Sequence, residues 1–340
     1  MADIKAIKEL ALYAAKKQVP TEFANKTVAD VNEALRKELS AICGTYDLFR
    51  RNKLDLFEIM QETMDAVVPA QVMAIVSQFA EVKNYAHGVK TQFKVKKGKL
   101  RARKFATRAT ASGVYETFRL DTDTIDVNTF VIGDAAYIDF ERFLSGDEDW
   151  ADYMEALMDG IVTKVYEEIY AEILNGAKNL QATNVVGSIS GTAENAYDKA
   201  DLLKLVKIVK AYGDPVIVAT ADYIAAMGPD EIAEGQYADE DINNIHKYGR
   251  VLSFRGTPVI ELPVSFKDET NTEEVFGGAY AFILPSNGEK IVKVAFEGNT
   301  VVKEWENRDN SMELQAYKKM GTAIVTGNNW CVHSLKKDAE

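Results

Sequence analysis

Apolar residues recur every three or four positions through 147–175, at Trp150, Met154, Leu157, Ile161, Val165, Ile169 and Ile173. That spacing describes one face of an amphipathic helix. A second row, Tyr153, Met158, Val162, Tyr166, Tyr170 and Leu174, widens the face, so neighbours are expected on two sides. Ser145 or Asp147 can cap the start, and the acids at 147–149 suit the positive end of the macrodipole. Asn175-Gly176 offers a left-handed stop. At 1.5 Å per residue such a helix is roughly 43 Å long, a beam on which the chain can be organised.

Shorter periodic stretches precede it. Residues 3–18, 28–42 and 53–68 read as amphipathic helices ended by Val19-Pro20, Gly44 and Pro69, with Thr27 or Asp30 capping the second. Residues 70–82 are apolar and fit helix or strand. These segments share too little apolar surface for a domain of their own, and they read as a helical arm, 1–82, that packs on something else. Strand-like alternation follows at 115–120 and 127–143. Beyond the beam, 185–191 reads as a loop, 202–212 as a helix capped by Asp198 or Asp201, 215–219 as a buried strand and 222–227 as a short helix. Residues 229–247 are polar and acidic, more loop than element. Strands are expected at 251–254, 257–262, 279–284 and 290–296, with a turn at 286–289 between the last two. The strand-rich tail covers 301–305, 312–319, 323–326 and 330–333. The pattern predicts an α+β protein.

Charge singles out one segment. Ten basic residues and no acid fall between Lys83 and Arg108, in a chain whose formal net charge is −12. The alternation across Lys94–Arg103 suggests a two-stranded ribbon turning at Lys97-Gly98, with faces too polar to bury a core, so that it projects from the body. The sign then reverses: thirteen acids against Arg119 and Arg142 between 109 and 160. A basic ribbon beside an acidic flank points to self-association, the ribbon of one copy resting on its neighbour. Lys94, Lys96, Lys97, Lys99, Arg101 and Arg103 are the expected contacts, with Asp147, Glu148 and Asp152 as the candidate acidic partner surface. A solvated ribbon without a partner, or one touching nucleic acid, remains the alternative at this point. Trp150, Leu157, Ile161 and Ile169 are the expected core of the long helix.

Composition bounds the rest. With 47% hydrophobic and 27% charged residues the chain has ample material for a core. No apolar run reaches the ~18 residues that span a bilayer, and the N-terminus lacks the apolar centre of a signal peptide, so a cytoplasmic start is expected. Cys43 and Cys331 make neither a disulfide framework nor a metal motif and read as small buried residues. Phosphate-binding glycine loops and nucleophile elbows are missing from the sequence, and His87, His246 and His333 lie far apart. Asp239-Glu240-Asp241 can hold a divalent ion but reads better as a solvated loop. Neither catalysis nor a cofactor is expected.

The order of elements carries a resemblance. PVIVATADYIAAM (215–227), RGTPVIELP (255–263), YAFILPSNGEKIVKVAFEG (280–298) and YKKMGTAIVTGNNWCVH (317–333) follow an arm, a basic ribbon and a long helix. Over about 50–335 the chain resembles the major capsid protein of tailed bacteriophages, the Hong Kong 97 phage fold that encapsulin shells also use. The resemblance implies an extended loop at 83–118 that overlaps a neighbouring subunit. It implies a peripheral domain of 119–180 and 305–340 with a spine helix, and an α/β axial domain of 181–304 around the capsomer centre. It implies a virion protein, assembled in the host cytoplasm, that forms hexamers and pentamers and encloses double-stranded DNA. Scaffolding, portal and decoration proteins would be its further partners. Only about 50–80 residues precede the ribbon, so a large cleaved scaffold region is not expected. Some relatives cross-link a lysine to an asparagine, and no residue is assigned to that role. An encapsulin-like compartment for protein cargo is the rival within the fold, and a basic-ribbon nucleic-acid-binding protein the rival outside it.

Overall fold

The computed structural model describes residues 4–16, 27–96, 122–138, 150–187, 197–233, 252–267, 270–287, 289–306, 312–325, 327 and 329–335. Three helices open the chain: α1 (Ile4–Ala15), α2 (Val28–Cys43) and α3 (Tyr46–Val76). A capping box starts α2. The Thr27 hydroxyl accepts the Asp30 N–H at 3.3 Å, and the Asp30 carboxylate accepts the Thr27 N–H at 2.7 Å.

Helix α3 does not end at Pro69 but runs on to Val76. Proline there removes one N–H and crowds the carbonyl of Asp65, at a cost of about 3 kcal/mol. Val72 and Val76 beyond it are fully buried. Each valine gains about 1.5–3 kcal/mol by leaving water, enough to offset the break. The ambiguous stretch 70–82 is therefore helix to Val76 and strand from Ala80, where β1 (Ala80–Tyr85) begins.

A ribbon of β2 (Gln92–Lys96) and β3 (Thr122–Asp126) follows, then β4 (Phe130–Ile138) and the long helix α4 (Trp150–Ala177). Leu157, Met158, Ile161, Val165, Tyr166, Ile169, Tyr170 and Ile173 of α4 are all buried, so both of its apolar rows have neighbours. The helix passes the expected stop at Gly176 by one residue. A Cβ on Gly176 would sit 2.9 Å from Ile324 Cγ2, so this glycine serves close packing and not a left-handed turn.

The second half adds β5 (Val185–Val186), α5 (Lys199–Lys210), β6 (Pro215–Ala219), α6 (Ala221–Ala233), β7 (Ser253–Phe254), β8 (Thr257–Glu261) and β9 (Tyr280–Pro285). Asp198 caps α5 through the Ala200 N–H at 2.8 Å. The chain closes with β10 (Val292–Glu306), β11 (Met312–Ile324) and β12 (Cys331–Ser334).

Two larger sheets result. One runs β1-β10-β11-β4, with β1 parallel to β10 and the other pairs antiparallel; the other runs β5-β12-β9-β6-β8-β7. Alternation along the second sheet is visible in its cores. Val216, Val218, Phe282, Leu284 and Val332 join the core that holds α4, while Ile217, Ala219, Ala281, Ile283 and Cys331 join the one under α5 and α6. Tyr170 of α4 reaches across to donate to the Gly277 carbonyl at 2.7 Å.

The sheets cut the chain differently from the expected segments. The strands expected at 290–296 and 301–305 are one bulged strand, β10, which lies with β4 and β11, whereas the resemblance implies an axial domain that runs to 304. Strand β12 and β1 cross the expected boundaries too, β12 into the six-stranded sheet and β1 out of the arm. The turn at 286–289 links two sheets and makes no hairpin, because β9 and β10 pair with other strands. Turn chemistry announces a reversal but says nothing of which sheet the next strand joins.

Candidate subunit-contact ribbon and its anchorage

Strand β2 pairs antiparallel with β3, Gln92↔Asp126 through Lys96↔Thr122. The described partner of β2 is thus β3, with 25 residues, 97–121, between the two paired ends, and the turn expected at Lys97-Gly98 lies outside the described residues. The faces of the ribbon are not wholly polar. Phe93 is fully buried and packs with Val127 and Ala295, and Val95 is 1% exposed, while Lys94 between them is exposed. The stem is thus docked by one apolar edge. Local alternation detected the strand, but the buried apolar pair was hidden by the lysines around it.

The two legs of the ribbon are tied to each other just below the stem. The Val127 N–H donates to the Thr91 carbonyl at 3.0 Å, and the Thr91 hydroxyl donates to the Val127 carbonyl at 2.5 Å. Lys90 pairs with Asp126 at 2.7 Å, and Gln92 donates to the same carboxylate at 2.7 Å. Those two bonds, Lys90 first, hold the Asp126 carboxyl below the usual carboxylate range.

Ion pairs seat β1 and the arm on the sheet. Lys293 of β10, 1% exposed, meets Glu81 directly opposite on β1, and Lys83 holds the other Glu81 oxygen at 2.7 Å. Burial pushes the Glu81 carboxyl up, but bonds from Lys293 and then Lys83 more than offset this and leave it below its ordinary value. Asp65 of α3 accepts from the Thr300 N–H and hydroxyl, both at 2.6 Å, and from Lys318 at 2.7 Å. At the ribbon's root, Glu297 accepts the Gly88 N–H at 3.0 Å and the Thr129 hydroxyl at 2.6 Å. The hydroxyl foremost, then the amide, draws the Glu297 carboxyl below its usual range.

A family described as "SPbeta prophage-derived putative capsid protein YonB" matches residues 4–332. The chain belongs to this capsid-protein family. The fold of the capsid protein is similar to that of a chain in the capsid structure of cyanophage P-SCSP1u. That pair has a TM-score of 0.51 and 11% identity, over 78% of this chain and 88% of the other. It is similar also to a chain from Microbacterium phage Oxtober96, at 0.50 and 11%, over 77% and 90%. None of the curated proteins matches in sequence. The mixed α+β architecture is the phage major capsid fold. Among the described residues no helix is long and apolar enough to cross a membrane, and no cluster of metal-binding side chains occurs.

Within the capsid protein, Lys94 is exposed on β2 opposite Thr124, and Lys96 stands opposite Thr122 at the end of the ladder. Lys97, Lys99, Arg101, Arg103, Asp147 and Glu148 lie outside the described residues, as do 115–120, Ser145, His246 and Asp239-Glu240-Asp241. Trp150 and Asp152 belong to the first turn of α4, and their side chains, like that of Lys96, are outside the description. Leu157, Ile161 and Ile169 are 2%, 1% and 3% exposed on the inward side of α4. Sequence reasoning missed Glu297, Thr129 and Asp65. The one hint was Glu297-Gly298-Asn299, which interrupts the apolar alternation of β10.

Proposed function

We propose that this chain is the major shell subunit of a phage or prophage head, assembling with itself into hexamers and pentamers that enclose double-stranded DNA without sequence specificity. The observation that carries the reading is the ribbon. Its antiparallel stem hands 25 residues, seven basic and two acidic, to a body that supplies the remainder of a net charge of −12. Those residues alone carry +5, so the rest carries −17. A copy of this chain is then an electrostatically complementary partner for the ribbon, and complementarity steers and orients association. The units built on the four-stranded sheet and on the six-stranded sheet take the peripheral and axial roles, with α4 as spine. Scaffolding, portal and decoration proteins are the further partners of such a subunit.

The test reverses three charges, Lys96→Glu, Lys99→Glu and Arg101→Glu, and measures particle yield and packaged DNA separately. A folded subunit that no longer assembles, or does so only at altered salt, is the expected result. Normal particles with normal DNA would refute the contact. Normal particles that package poorly would instead assign these residues to DNA. Particles that carry protein cargo and no DNA would favour a compartment shell.

A further inference from the structure

One carboxylate holds both legs of the ribbon to the sheet. In β10 the register passes from Glu297↔Lys319 to Val301↔Tyr317, so the strand bulges, and Gly298 within the bulge has φ +69°. A Cβ on Gly298 would stand 3.3 Å from that of His87, so the incoming leg lies close against the bulge. Glu297 is 8% exposed. Its Oε1 takes the N–H of Gly88, four residues before β2, and its Oε2 takes the hydroxyl of Thr129, three residues after β3. Lys319 Nζ lies 3.8 Å and His87 Nδ1 3.6 Å from the same Oε1. On the far side of the bulge, Thr300 is bound to Asp65 of α3.

One further directional bond ties the incoming leg to the sheet, from the Tyr85 hydroxyl of β1 to the Gln92 carbonyl; the remaining attachments are of a different kind. Thr91 and Val127 bond the legs to each other, which makes them move as a unit. Phe93, Val127 and Ala295 make an apolar contact with the sheet, which opposes separation but has no preferred direction. Beneath the leg a cavity of about 680 Å³ opens between Pro69, Phe296 and Asn299, rimmed by Tyr85 and His87. The bonds at Glu297 differ from that of Tyr85 in being charge-assisted and in reaching both legs, so they contribute most to the angle of the ribbon, and the cavity is room to change it.

We propose that Glu297 is a positioning residue that clamps the ribbon at one angle to the body, with the β10 bulge as the hinge on which the ribbon swings when the clamp opens. This deepens the proposed function, because the angle of a ribbon that lies on a neighbour sets how neighbouring subunits meet, and it rests on that reading. The test compares Glu297→Ala, Glu297→Gln and Thr129→Val with the wild type by amide exchange on unassembled subunits and by microscopy of assembled particles. Exchange at Gly88 and Val89 should rise about tenfold or more in Glu297→Ala. Thr129→Val, which leaves the sheet intact, should loosen the same leg, and Glu297→Gln should fall between wild type and alanine. The β2–β3 and β10–β11 ladders should keep their protection, and particle diameters should spread. Unchanged exchange at 86–91, a rise shared equally by the β10–β11 ladder, or particles of wild-type diameter from both Glu297→Ala and Thr129→Val would overturn the clamp. Wild-type protein that never assembles would sink the capsid reading, and the exchange data would then decide the hinge alone.

Discussion

Lys293 and Glu81 make an unequal pair, and the inequality predicts which partner the fold can lose. The two residues face each other across the parallel β1–β10 ladder, with the Lys293 side chain 1% exposed and that of Glu81 34% exposed. Glu81→Gln takes away the charge that compensates a fully buried ammonium. Breaking a buried pair in this way costs about 3–5 kcal/mol. The amide oxygen of the glutamine and the Phe93 ring, 5.8 Å from Lys293 Nζ, retain part of the stabilisation. The lower end, about 3 kcal/mol, is therefore expected. Lys293→Met removes the buried charge instead. Glu81 then stays at the surface and keeps Lys83 at 2.7 Å, so the cost should stay below about 1 kcal/mol. The double variant should recover most of the loss, giving a coupling energy of about 2 kcal/mol. Urea unfolding of unassembled subunits at pH 7 measures all four corners of the cycle. Equal losses for Glu81→Gln and Lys293→Met, or a loss below about 1 kcal/mol for the former, would refute the argument, since both need Lys293 to be solvated.

Two further outcomes follow from burial. Ile161→Asp places a carboxylate at a position 1% exposed between α4 and the sheet, at a cost of several kcal/mol, and should abolish soluble yield or lower the melting temperature sharply; wild-type yield and melting would remove Ile161 from the core. His333 is fully buried, its Nδ1 2.5 Å from the Tyr223 hydroxyl, and burial pulls its pKa down to about 4 against the attraction of Asp201 and Asp198. The unfolded chain therefore takes up the proton first, so the contribution of His333, present above about pH 6.5, is lost as pH falls toward about 4. It amounts to about 3 kcal/mol, which a His333→Gln variant should lack when unfolding is followed over that pH range.

What was legible in the sequence is what a local pattern can encode. The two apolar rows of α4, the Asp198 cap of α5 and the all-buried strand β6 depend on residues within one turn or one strand of each other. The misread places depend on distant partners. Pro69 looks like a stop until Val72 and Val76 are known to be buried. Gly176 looks like a cap until Ile324 lies against it. The ribbon looks like a tight hairpin because β2 alternates up to Lys96, yet its partner β3 begins at Thr122. Glu297 reads as an ordinary polar interruption, and its role depends on Gly88 and Thr129, each more than 160 positions away in the chain.

The same non-local pairing refines the charge argument. Of the ten basic residues at 83–108, Lys83 is held by Glu81 and Lys90 by Asp126, both at 2.7 Å within one chain. Asp126 belongs to the acidic stretch first read as a surface for a neighbour, so part of the sign reversal is satisfied at the ribbon's own root. The acidic face of α4 is likewise partly answered in place, since Lys164 bridges Glu167 at 2.6 Å and Glu168 at 3.3 Å. The other basic residues of the segment include Lys97, Lys99, Arg101, Arg103, Lys104 and Arg108, which follow β2 in the sequence and on the proposed reading face another copy. At 0.15 M salt a charge is felt over only about 8 Å, so on the proposed reading the net charge of the body biases the encounter and the acidic groups nearest the ribbon contribute most to the contact. A contact between copies built on this charge is consequently short-ranged, and its geometry depends on where the stem points the ribbon. On the proposed reading, orientation at the root and charge at the tip are two halves of one device, the first set by Glu297 and the second by the lysines and arginines that follow β2 in the sequence.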